Sequence, residues 1–337
     1  MKNLILVGGN RLNEDEPIKT ISELAKKNKY KIFLFTEKIH LSKKCKDENF
    51  RFFLKKKKIE YKAIDNINSQ FNNFKKKLNY NKNDIMLLTN SIWKIDKNII
   101  SFFDSRIFNI HIGKFPFQIG AGGASWLRMV NAQLSSITIH EVTEKFDSGR
   151  ILVEKDFKLK KEFNLLNYYS EARKFEKIAY QLFFKAIKKK IKFKIKKKNI
   201  DTVYMPRLNT KIHGYVDWSW NARDIVNFIN AFSDPYSGAS TFIRKRKFYI
   251  KNAKLKKNKI KFHPFQSGII FNKTFKSLFV AAFDGVVEIG NVFDSRGKKV
   301  SFDSINLGRR FFTPAAYLEK ARLTSSIHSS KGIINLN

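Results

Sequence analysis

The feature that most constrains the fold is a run of four apolar residues near the start of the chain, Leu4 to Val7, that ends in two glycines. Such a run predicts a strand buried on both faces, and Gly8, Gly9 and Asn10 predict a turn into a helix over residues 14–27. Further strands are predicted at residues 31–36, 84–89 and 107–111. Because helical stretches separate these strands, we expect parallel βαβ units, and therefore an α/β fold whose mostly parallel sheet carries helices on both faces.

The second half of the chain has a different pattern, and we expect it to form a separate domain. A helix is predicted over residues 165–189, with one apolar stripe that must pack on the preceding sheet. Beyond Tyr204 short apolar runs alternate with Asn, Asp, Gly and Pro, which predicts a small β-barrel or sandwich with strands at residues 248–250, 268–271, 278–282 and 286–289. We place the division between residues 198 and 199, giving domains 1–198 and 199–337.

The charge of the chain is strongly basic, since 67 Lys and Arg exceed 29 Asp and Glu by 38. This excess favours an anionic partner, and a basic non-enzymatic nucleic-acid-binding protein stays open as an alternative. However, only 14 of the 67 basic residues are Arg, and the Lys are spread along the chain among Asn, Ile and Phe. That usage is typical of an A+T-rich genome, and the Lys-rich segment 185–199 is interpreted first as a solvated face and second as an anion-binding patch.

Cysteine and histidine usage argues against several classes of site. Cys45 is the single cysteine, which excludes an intramolecular disulfide and a thiolate-rich metal centre, so we expect a cytoplasmic location. The six histidines show no metal-ligand spacing, and no metal is expected. No stretch of about 18 apolar residues predicts a membrane span. Gly8-Gly9-Asn10 also lacks the G-x-G-x-x-G pattern of nicotinamide-binding enzymes.

Polar side chains of a reactive type occur on the strand predicted at residues 107–111. The two-residue period puts Asn109 and His111 on one face, close to the carboxyl end of the strand, where open α/β sheets bind ligands. The alternative is that Asn109 caps a turn and His111 is a buried structural histidine. Asp147 follows in a Phe-Asp-Ser-Gly turn, where an Asx-turn role is equally open.

These segments occur in an order that resembles a known family. An Asn-x-His strand, a turn rich in Pro and Gly, Trp126, a Thr-Ile-His strand and Asp-Ser-Gly follow one another between Asp84 and Phe157. This stretch resembles the catalytic domain of the 10-formyltetrahydrofolate-dependent formyltransferases, the family of methionyl-tRNA formyltransferase and the amino-sugar N-formyltransferases. Residues 204–208, 214–218 and 235–239 look like the start of its C-terminal domain. The resemblance implies a Rossmann-like domain followed by an open, OB-like barrel.

The resemblance also implies a site and a reaction. Asn109, His111 and Asp147 match the family's three polar residues at the formyl-transfer centre. By the same match, the folate donor, 10-formyltetrahydrofolate, would bind along Leu87, Leu88, Thr89, Asn90, Ile92 and Trp93. We expect Asn109 and His111 to donate to the oxyanion that forms during transfer, with Asp147 orienting the imidazole and helping to move protons. No metal is needed for this mechanism.

The amine that accepts the formyl group is less constrained. The chain has Ile112-Gly113-Lys114 where the family usually continues with Pro after the His, and Ile119-Gly120 where it usually has Arg-Gly. Residues 36–58 also lack the basic loop with which methionyl-tRNA formyltransferases look to grip the acceptor stem. We therefore predict a nucleotide-linked amino sugar as acceptor, with methionyl-tRNA as the alternative. The sequence leaves the oligomeric state open.

Overall fold

The computed structural model describes residues 2–8, 16–42, 44–45, 48–76, 78, 81–121, 123–189, 194, 202–256 and 260–336. The elements of the N-terminal part are β1 (Lys2–Gly8), α1 (Glu16–Lys27), β2 (Tyr30–Glu37), α2 (Lys38–Leu41), β3 (Lys44–Cys45), β4 (Glu48–Asn49), α3 (Phe50–Lys56), β5 (Glu60–Ile64), α4 (Ile67–Lys75), β6 (Ile85–Thr89), α5 (Lys97–Phe102), β7 (Ile107–Ile112), β8 (Gln118–Gly120), α6 (Gly123–Met129), β9 (Leu134–Glu141), β10 (Ile151–Lys158) and α7 (Leu165–Lys189).

Seven of these strands form one sheet in the order β10-β9-β7-β6-β1-β2-β5. The strands from β7 to β5 are parallel, whereas β9 runs antiparallel to β7 and β10 antiparallel to β9. The predicted mostly parallel sheet is confirmed, and α7 has the predicted bounds. Because β9 lies beside β7, residues far apart in sequence meet at the end of β7.

Helices cover both faces of the sheet, as the continuous apolar strands require. In β1, Leu4 and Leu6 pack with α1 and α7, whereas Ile5 and Val7 pack on the opposite side with α4 and α5. All four side chains are fully buried. Burial of one such side chain stabilises the fold by about 1.5–3 kcal/mol. A strand turned by one residue would exchange the side chains of the two clusters, so their packing fixes which face each residue of β1 presents.

The second part of the chain is built on a five-stranded antiparallel sheet. Its elements are β11 (Val203–Met205), α8 (Thr210–His213), α9 (Ala222–Ala231), β12 (Ala239–Ile243), β13 (Arg246–Lys256), β14 (Ile270–Lys273), β15 (Leu278–Ala282), β16 (Gly285–Asp294), α10 (Ala315–Leu323), β17 (Ser325–Ser329) and β18 (Gly332–Leu336), with short 3₁₀ turns at Pro264–Gln266 and Phe302–Ser304. The strand order is β12-β13-β16-β15-β14.

The segment 308–312 joins the two edges of this sheet. Phe312 bridges Phe242 of β12, while Arg310 bridges Ile269 beside β14. The sheet thereby becomes an open, OB-like barrel, as predicted. The barrel has its own apolar core, which includes Trp218 stacked on Phe311 at 5.6 Å between ring centroids.

Buried hydrogen bonds join the barrel domain to the first domain. Between α6 and α9, Ser125 Oγ donates to the Ala231 carbonyl at 2.8 Å, and Arg128 Nη1 donates to Asn227 Oδ1 at 2.6 Å. The predicted division at residues 198/199 lies outside the described residues and stays a prediction. Among the described helices, none is long and apolar enough to cross a membrane.

Candidate active site

Four polar residues meet at one end of β7. Asn109 and His111 lie on β7, and the register of the antiparallel ladder sets Asn109 directly opposite His140 on β9. Asn109 Nδ2 is 3.3 Å from His140 Nε2. The turn between β9 and β10 brings Asp147 back to the same place, so strand pairing and one turn assemble the whole group.

The turn that carries Asp147 is held by its own hydrogen bonds. Arg150 makes a two-point ion pair with Glu141, at 2.6 Å from Nε and 2.7 Å from Nη2. Gly149 lies so close to this strand that a Cβ there would be 1.9 Å from the Glu141 carbonyl oxygen. Asp147 itself has a φ of 45°, a left-handed conformation that Asp and Asn adopt more readily than most residues. The turn thereby fixes the direction of the Asp147 side chain.

The Asp147 carboxylate is buried between two imidazoles. Its Oδ2 accepts from the Gly120 backbone N–H at 2.8 Å and lies 3.8 Å from His111 Nδ1, while its Oδ1 lies 3.5 Å from His140 Nε2. Burial alone raises the pKa of Asp147. The positive charge available on His111, the hydrogen bond and charge of His140, and the Gly120 N–H outweigh burial and hold the pKa of Asp147 below its ordinary value. The site therefore keeps a buried negative charge at neutral pH.

His140 has a defined protonation pattern. Its Nδ1 lies 2.8 Å from the Glu141 carbonyl, which only accepts, so Nδ1 carries a proton. In the neutral ring Nε2 is then free to accept from the Asn109 amide. When Nε2 takes a proton, the Asp147 carboxylate stands 3.5 Å away to neutralise it. His140 thus has the geometry of a base that takes up one proton.

His111 is enclosed more tightly than the sequence predicted. Its Nε2 donates to the Gln118 carbonyl at 2.8 Å, and its Nδ1 faces Asp147. A Cβ on Gly113 would lie 2.4 Å from His111 Nε2, so only glycine leaves room for the ring. Phe115 covers the ring from the side at 5.2 Å between centroids. His111 therefore lies beside the carboxylate and is not among the residues that line the adjacent pocket.

A pocket opens beside this cluster, with a cavity volume of about 60 Å³. Its lining residues come from the end of β6 and the loop after it, from β7 and β9, and from the Asp147 turn: Leu88, Ser91, Trp93, Lys94, Ile95, Asn109, His140, Val142, Thr143, Lys145, Phe146 and Asp147. Trp93 is 3% exposed, and within the described part of the chain its Nε1 has no hydrogen-bond partner. The pocket thus offers apolar walls and two lysines.

The structure separates the residues expected to bind folate into two groups. Leu88 and Trp93 line the pocket. Leu87 does not, because the two-residue period turns it into the opposite core with Leu4 and Leu6. Thr89, Asn90 and Ile92 also lie outside the pocket lining. Thr89 is buried beside Gly8, and Asn90 has a left-handed backbone with a φ of 59°. Ile92 packs under the C-terminal hairpin.

His140 and Phe146 were not singled out from the sequence as site residues, whereas Ile95 lies at the end of the region 87–95 expected to line the folate pocket. The Thr-Ile-His strand was visible, but its position opposite Asn109 depends on strand order and register. The available signal was a polar residue near the end of a strand, followed seven residues later by Asp147 in a turn. Among the residues described, no group of three or more His, Cys, Asp or Glu is placed to hold a metal ion.

The fold and site define a class: an α/β domain with an Asn, two His and an Asp beside a pocket, followed by an OB-like barrel. The formyl transferase family matches residues 1–183, and its C-terminal domain matches residues 209–310. The chain belongs to the formyl transferase family.

Relatives of this chain carry different activities in their names. It is 23% identical over 259 residues to the bifunctional polymyxin resistance protein ArnA of Wigglesworthia glossinidia brevipalpis, covering 74% of this chain and 38% of that protein. It is 30% identical over 175 residues to methionyl-tRNA formyltransferase of Prochlorococcus marinus (strain MIT 9515), covering 49% of this chain and 50% of that protein. The matches thus span half or less of these two relatives.

Solved structures show the same fold. The N-formyltransferase from Helicobacter canadensis, solved in complex with folinic acid and dTDP-3-aminofucose, superposes with a TM-score of 0.64 at 17% identity. The match covers 89% of this chain and 100% of that one. The likeness therefore extends through both the sheet and the barrel.

Proposed function

We propose that this protein transfers a formyl group from 10-formyltetrahydrofolate to a primary amine on a nucleotide-linked amino sugar. The observation that carries the proposal is the buried Asp147 carboxylate held between His111 and His140, beside a pocket that Asn109 also lines. Such a group matches the needs of acyl transfer to an amine, which creates an oxyanion and moves one proton. Membership of the formyl transferase family supports the same reaction.

Asn109 is assigned to stabilise the oxyanion. One N–H of its side-chain amide is directed to His140, which leaves a second N–H on the same nitrogen for the formyl oxygen. In the resting site His140 holds the amide, so the donor is oriented before negative charge develops on the formyl oxygen. Loss of one such donor commonly lowers turnover by about two to three orders of magnitude.

The two histidines and Asp147 are assigned to proton transfer. The acceptor amine forms a bond to the formyl carbon and loses a proton, and the bond from that carbon to the folate nitrogen breaks as this nitrogen gains a proton. His140 is the proposed carrier: its Nε2 releases the Asn109 amide as it takes up the proton, and Asp147 Oδ1, 3.5 Å away, balances the charge. His111 and the Gly120 N–H hold the carboxylate on its other side.

The pocket is the proposed site for the folate donor. Leu88, Ile95, Val142 and Phe146 offer apolar contacts for a flat ring, and Trp93 adds its indole to the same wall. The cavity volume of about 60 Å³ is below the roughly 300–1,000 Å³ of ligand pockets, so the cavity encloses only part of the donor. Neither the stabilisation of the oxyanion nor the proton transfer requires a metal.

The segment after β2 supports a small acceptor. Helices α2 (Lys38–Leu41) and α3 (Phe50–Lys56) bury apolar side chains, Leu41, Phe50, Phe53 and Leu54, in the core of the first domain. This packing anchors both helices to the domain, which is one argument for an acceptor smaller than a nucleic acid. The fold neighbour from Helicobacter canadensis was solved with a nucleotide-linked amino sugar, which supports the same class of acceptor.

Methionyl-tRNA is the second candidate acceptor. The net charge of +38 favours phosphate contacts, and one relative is a methionyl-tRNA formyltransferase. If tRNA is the acceptor, transfer should weaken steeply as salt rises, because neutralised phosphates release counterions. A nucleotide-linked sugar carries only two phosphates and should show a much shallower salt dependence.

The test is a direct competition at physiological salt. The protein is incubated with 10-formyltetrahydrofolate, charged initiator tRNA and a panel of nucleotide-linked 3- and 4-amino sugars, and each product is examined by mass spectrometry for the gain of one formyl group. Formylation of a sugar with no product on the tRNA supports the proposal, and the reverse result assigns the tRNA. No formyl product on any acceptor contradicts formyl transfer itself.

With Cys45 as its single cysteine, the protein is proposed to work in the cytoplasm.

A further inference from the structure

The C-terminal hairpin is an element that the family matches do not cover. It consists of β17 and β18, residues 325–336, whereas the C-terminal family match ends at residue 310. The hairpin follows α10 and leaves the barrel to pack on the first domain. Arg207 anchors its first strand, since the Arg207 backbone N–H donates to the Ser326 carbonyl at 3.1 Å.

One contact of the hairpin is with the loop that forms a wall of the pocket. Ser329 forms a β-bridge with Trp93, and its carbonyl accepts from the Lys94 backbone N–H at 2.9 Å. Gly332 packs against the same loop, because a Cβ there would be 3.4 Å from Ile92 Cδ1 and 3.8 Å from Trp93 Nε1. The hairpin thereby extends the loop as an added strand and fixes Trp93.

The tip of the hairpin makes a second set of contacts at the start of α4. The Ser330 carbonyl accepts from Asn66 Nδ2 at 2.7 Å and from Asn68 Nδ2 at 3.0 Å. Asn68 Nδ2 also donates to the Lys94 carbonyl at 2.9 Å. One side chain therefore joins the hairpin tip, α4 and the pocket loop.

A third contact reaches the opposite wall of the pocket. The His328 ring stacks on Phe146, with 5.4 Å between centroids and 16° between planes. Phe146 precedes Asp147 and lines the pocket. Burial and, to a smaller extent, the positive charge of the nearby Arg207 lower the pKa of His328 to about 4. The ring is therefore neutral at physiological pH. A neutral ring suits this stacking and adds no charge next to the Asp147 carboxylate.

We propose that the C-terminal hairpin sets the geometry of the formyl-donor pocket, with His328 acting as a positioning residue through Phe146. The hairpin connects both walls, the loop that carries Trp93 and the turn that carries Phe146, and so holds both in the positions that contact the folate ring. This inference rests on the proposed function, since it concerns the same pocket. Because this pocket is the proposed donor site, the effect is expected on donor binding.

The experiment compares three variants of the full chain. His328→Ala removes the stacked ring, His328→Phe keeps an aromatic ring, and Leu336→Ala, at a residue 47% exposed on the same hairpin, is the matched control. Binding of folinic acid, a formyl folate that serves as a non-reacting probe, is measured by titration calorimetry. The KM values for donor and acceptor are measured in parallel, and a thermal melt verifies folding.

His328→Ala is expected to weaken folinic acid binding and raise the donor KM by about three- to tenfold, the effect of losing one aromatic pair, with the acceptor KM unchanged. His328→Phe should restore binding to within about twofold, and Leu336→Ala should match the unaltered protein. Equal donor binding by His328→Ala and the unaltered protein overturns the inference alone, as does an equal loss for donor and acceptor. No folinic acid binding by the unaltered protein overturns the proposed function as well.

Discussion

Asn109 of β7 and His140 of β9 lie directly opposite each other, with Asn109 Nδ2 3.3 Å from His140 Nε2. The histidine accepts from the amide while its other nitrogen is held by the Glu141 carbonyl. His140 therefore serves the amide in two ways: it orients the amide, and it is placed to accept a proton beside Asp147. Two substitutions separate these roles.

The first prediction concerns His140. In His140→Gln the side-chain amide can still accept from Asn109, but it takes up no proton, so turnover is expected to fall by about two orders of magnitude. His140→Ala removes both functions and should fall further. Single-turnover rates at saturating donor and acceptor measure this. If His140→Gln is as active as the unaltered protein, His140 only orients Asn109.

The second prediction concerns the charge of Asp147. Asn fits the same left-handed turn, with φ at 45°, and its side-chain oxygen can still accept from the Gly120 N–H. Asp147→Asn should therefore fold and lose turnover by at least about two orders of magnitude, because the negative charge beside the two imidazoles is gone. Circular dichroism and a thermal melt accompany the rate measurement. An unfolded Asp147→Asn protein would instead support a structural role for the turn.

The third prediction tests the room available to His111. A Cβ on Gly113 would lie 2.4 Å from His111 Nε2 and 2.6 Å from the Gln118 carbonyl, so Gly113→Ala must displace the ring. We expect a loss of turnover of about 10- to 100-fold from misplacement, with the domain still folded. Gly123→Ala is the matched control, since a Cβ there would lie 3.4 Å from its nearest neighbour, the Ile112 carbonyl oxygen. Equal rates for the two variants would show that the position of His111 is unimportant.

The fourth prediction follows from the lowered pKa of His328, which burial and Arg207 bring from 6.5 to about 4. Between these values the unfolded chain binds a proton that the folded protein does not bind, so the free energy of unfolding is highest above about pH 6.5 and falls toward pH 4. His328→Phe cannot titrate. Between pH 7 and pH 5 the unaltered protein should lose about 1 kcal/mol more than His328→Phe, allowing for the partial exposure of the ring. Urea unfolding at several pH values measures the difference, and parallel curves would contradict the burial of His328.

The sequence predicted the elements whose pattern is local. Strands buried on both faces, such as β1 and β6, have continuous apolar runs, and the stripe on α7 defines its length. Side chains alternate between the two faces of β6, so Leu88 lines the pocket while Leu87 enters the core. That distinction needs the position of the neighbouring helices, which the strand alone does not contain.

Long-range relations were beyond the sequence. The partnership of Asn109 with His140 depends on β9 lying antiparallel beside β7, a choice of strand order. The C-terminal hairpin has two strands of five residues with little apolar periodicity, and its stability comes from contacts with Trp93, Asn66 and Phe146 far away in sequence. Its role was therefore visible only in three dimensions.

The central claim is that the cluster at the end of β7 transfers a formyl group from folate to an amine. The most direct test follows formyl transfer to the accepted amine by mass spectrometry for the unaltered protein, Asn109→Ala and His111→Ala, with folinic acid binding measured alongside. We predict that Asn109→Ala, which removes the proposed oxyanion donor, lowers turnover by about two to three orders of magnitude. His111→Ala, which removes one of the two imidazoles beside Asp147, is expected to lower turnover as well, and folinic acid binding should change little in both variants. Near-normal turnover in both variants would contradict the assignment of this cluster.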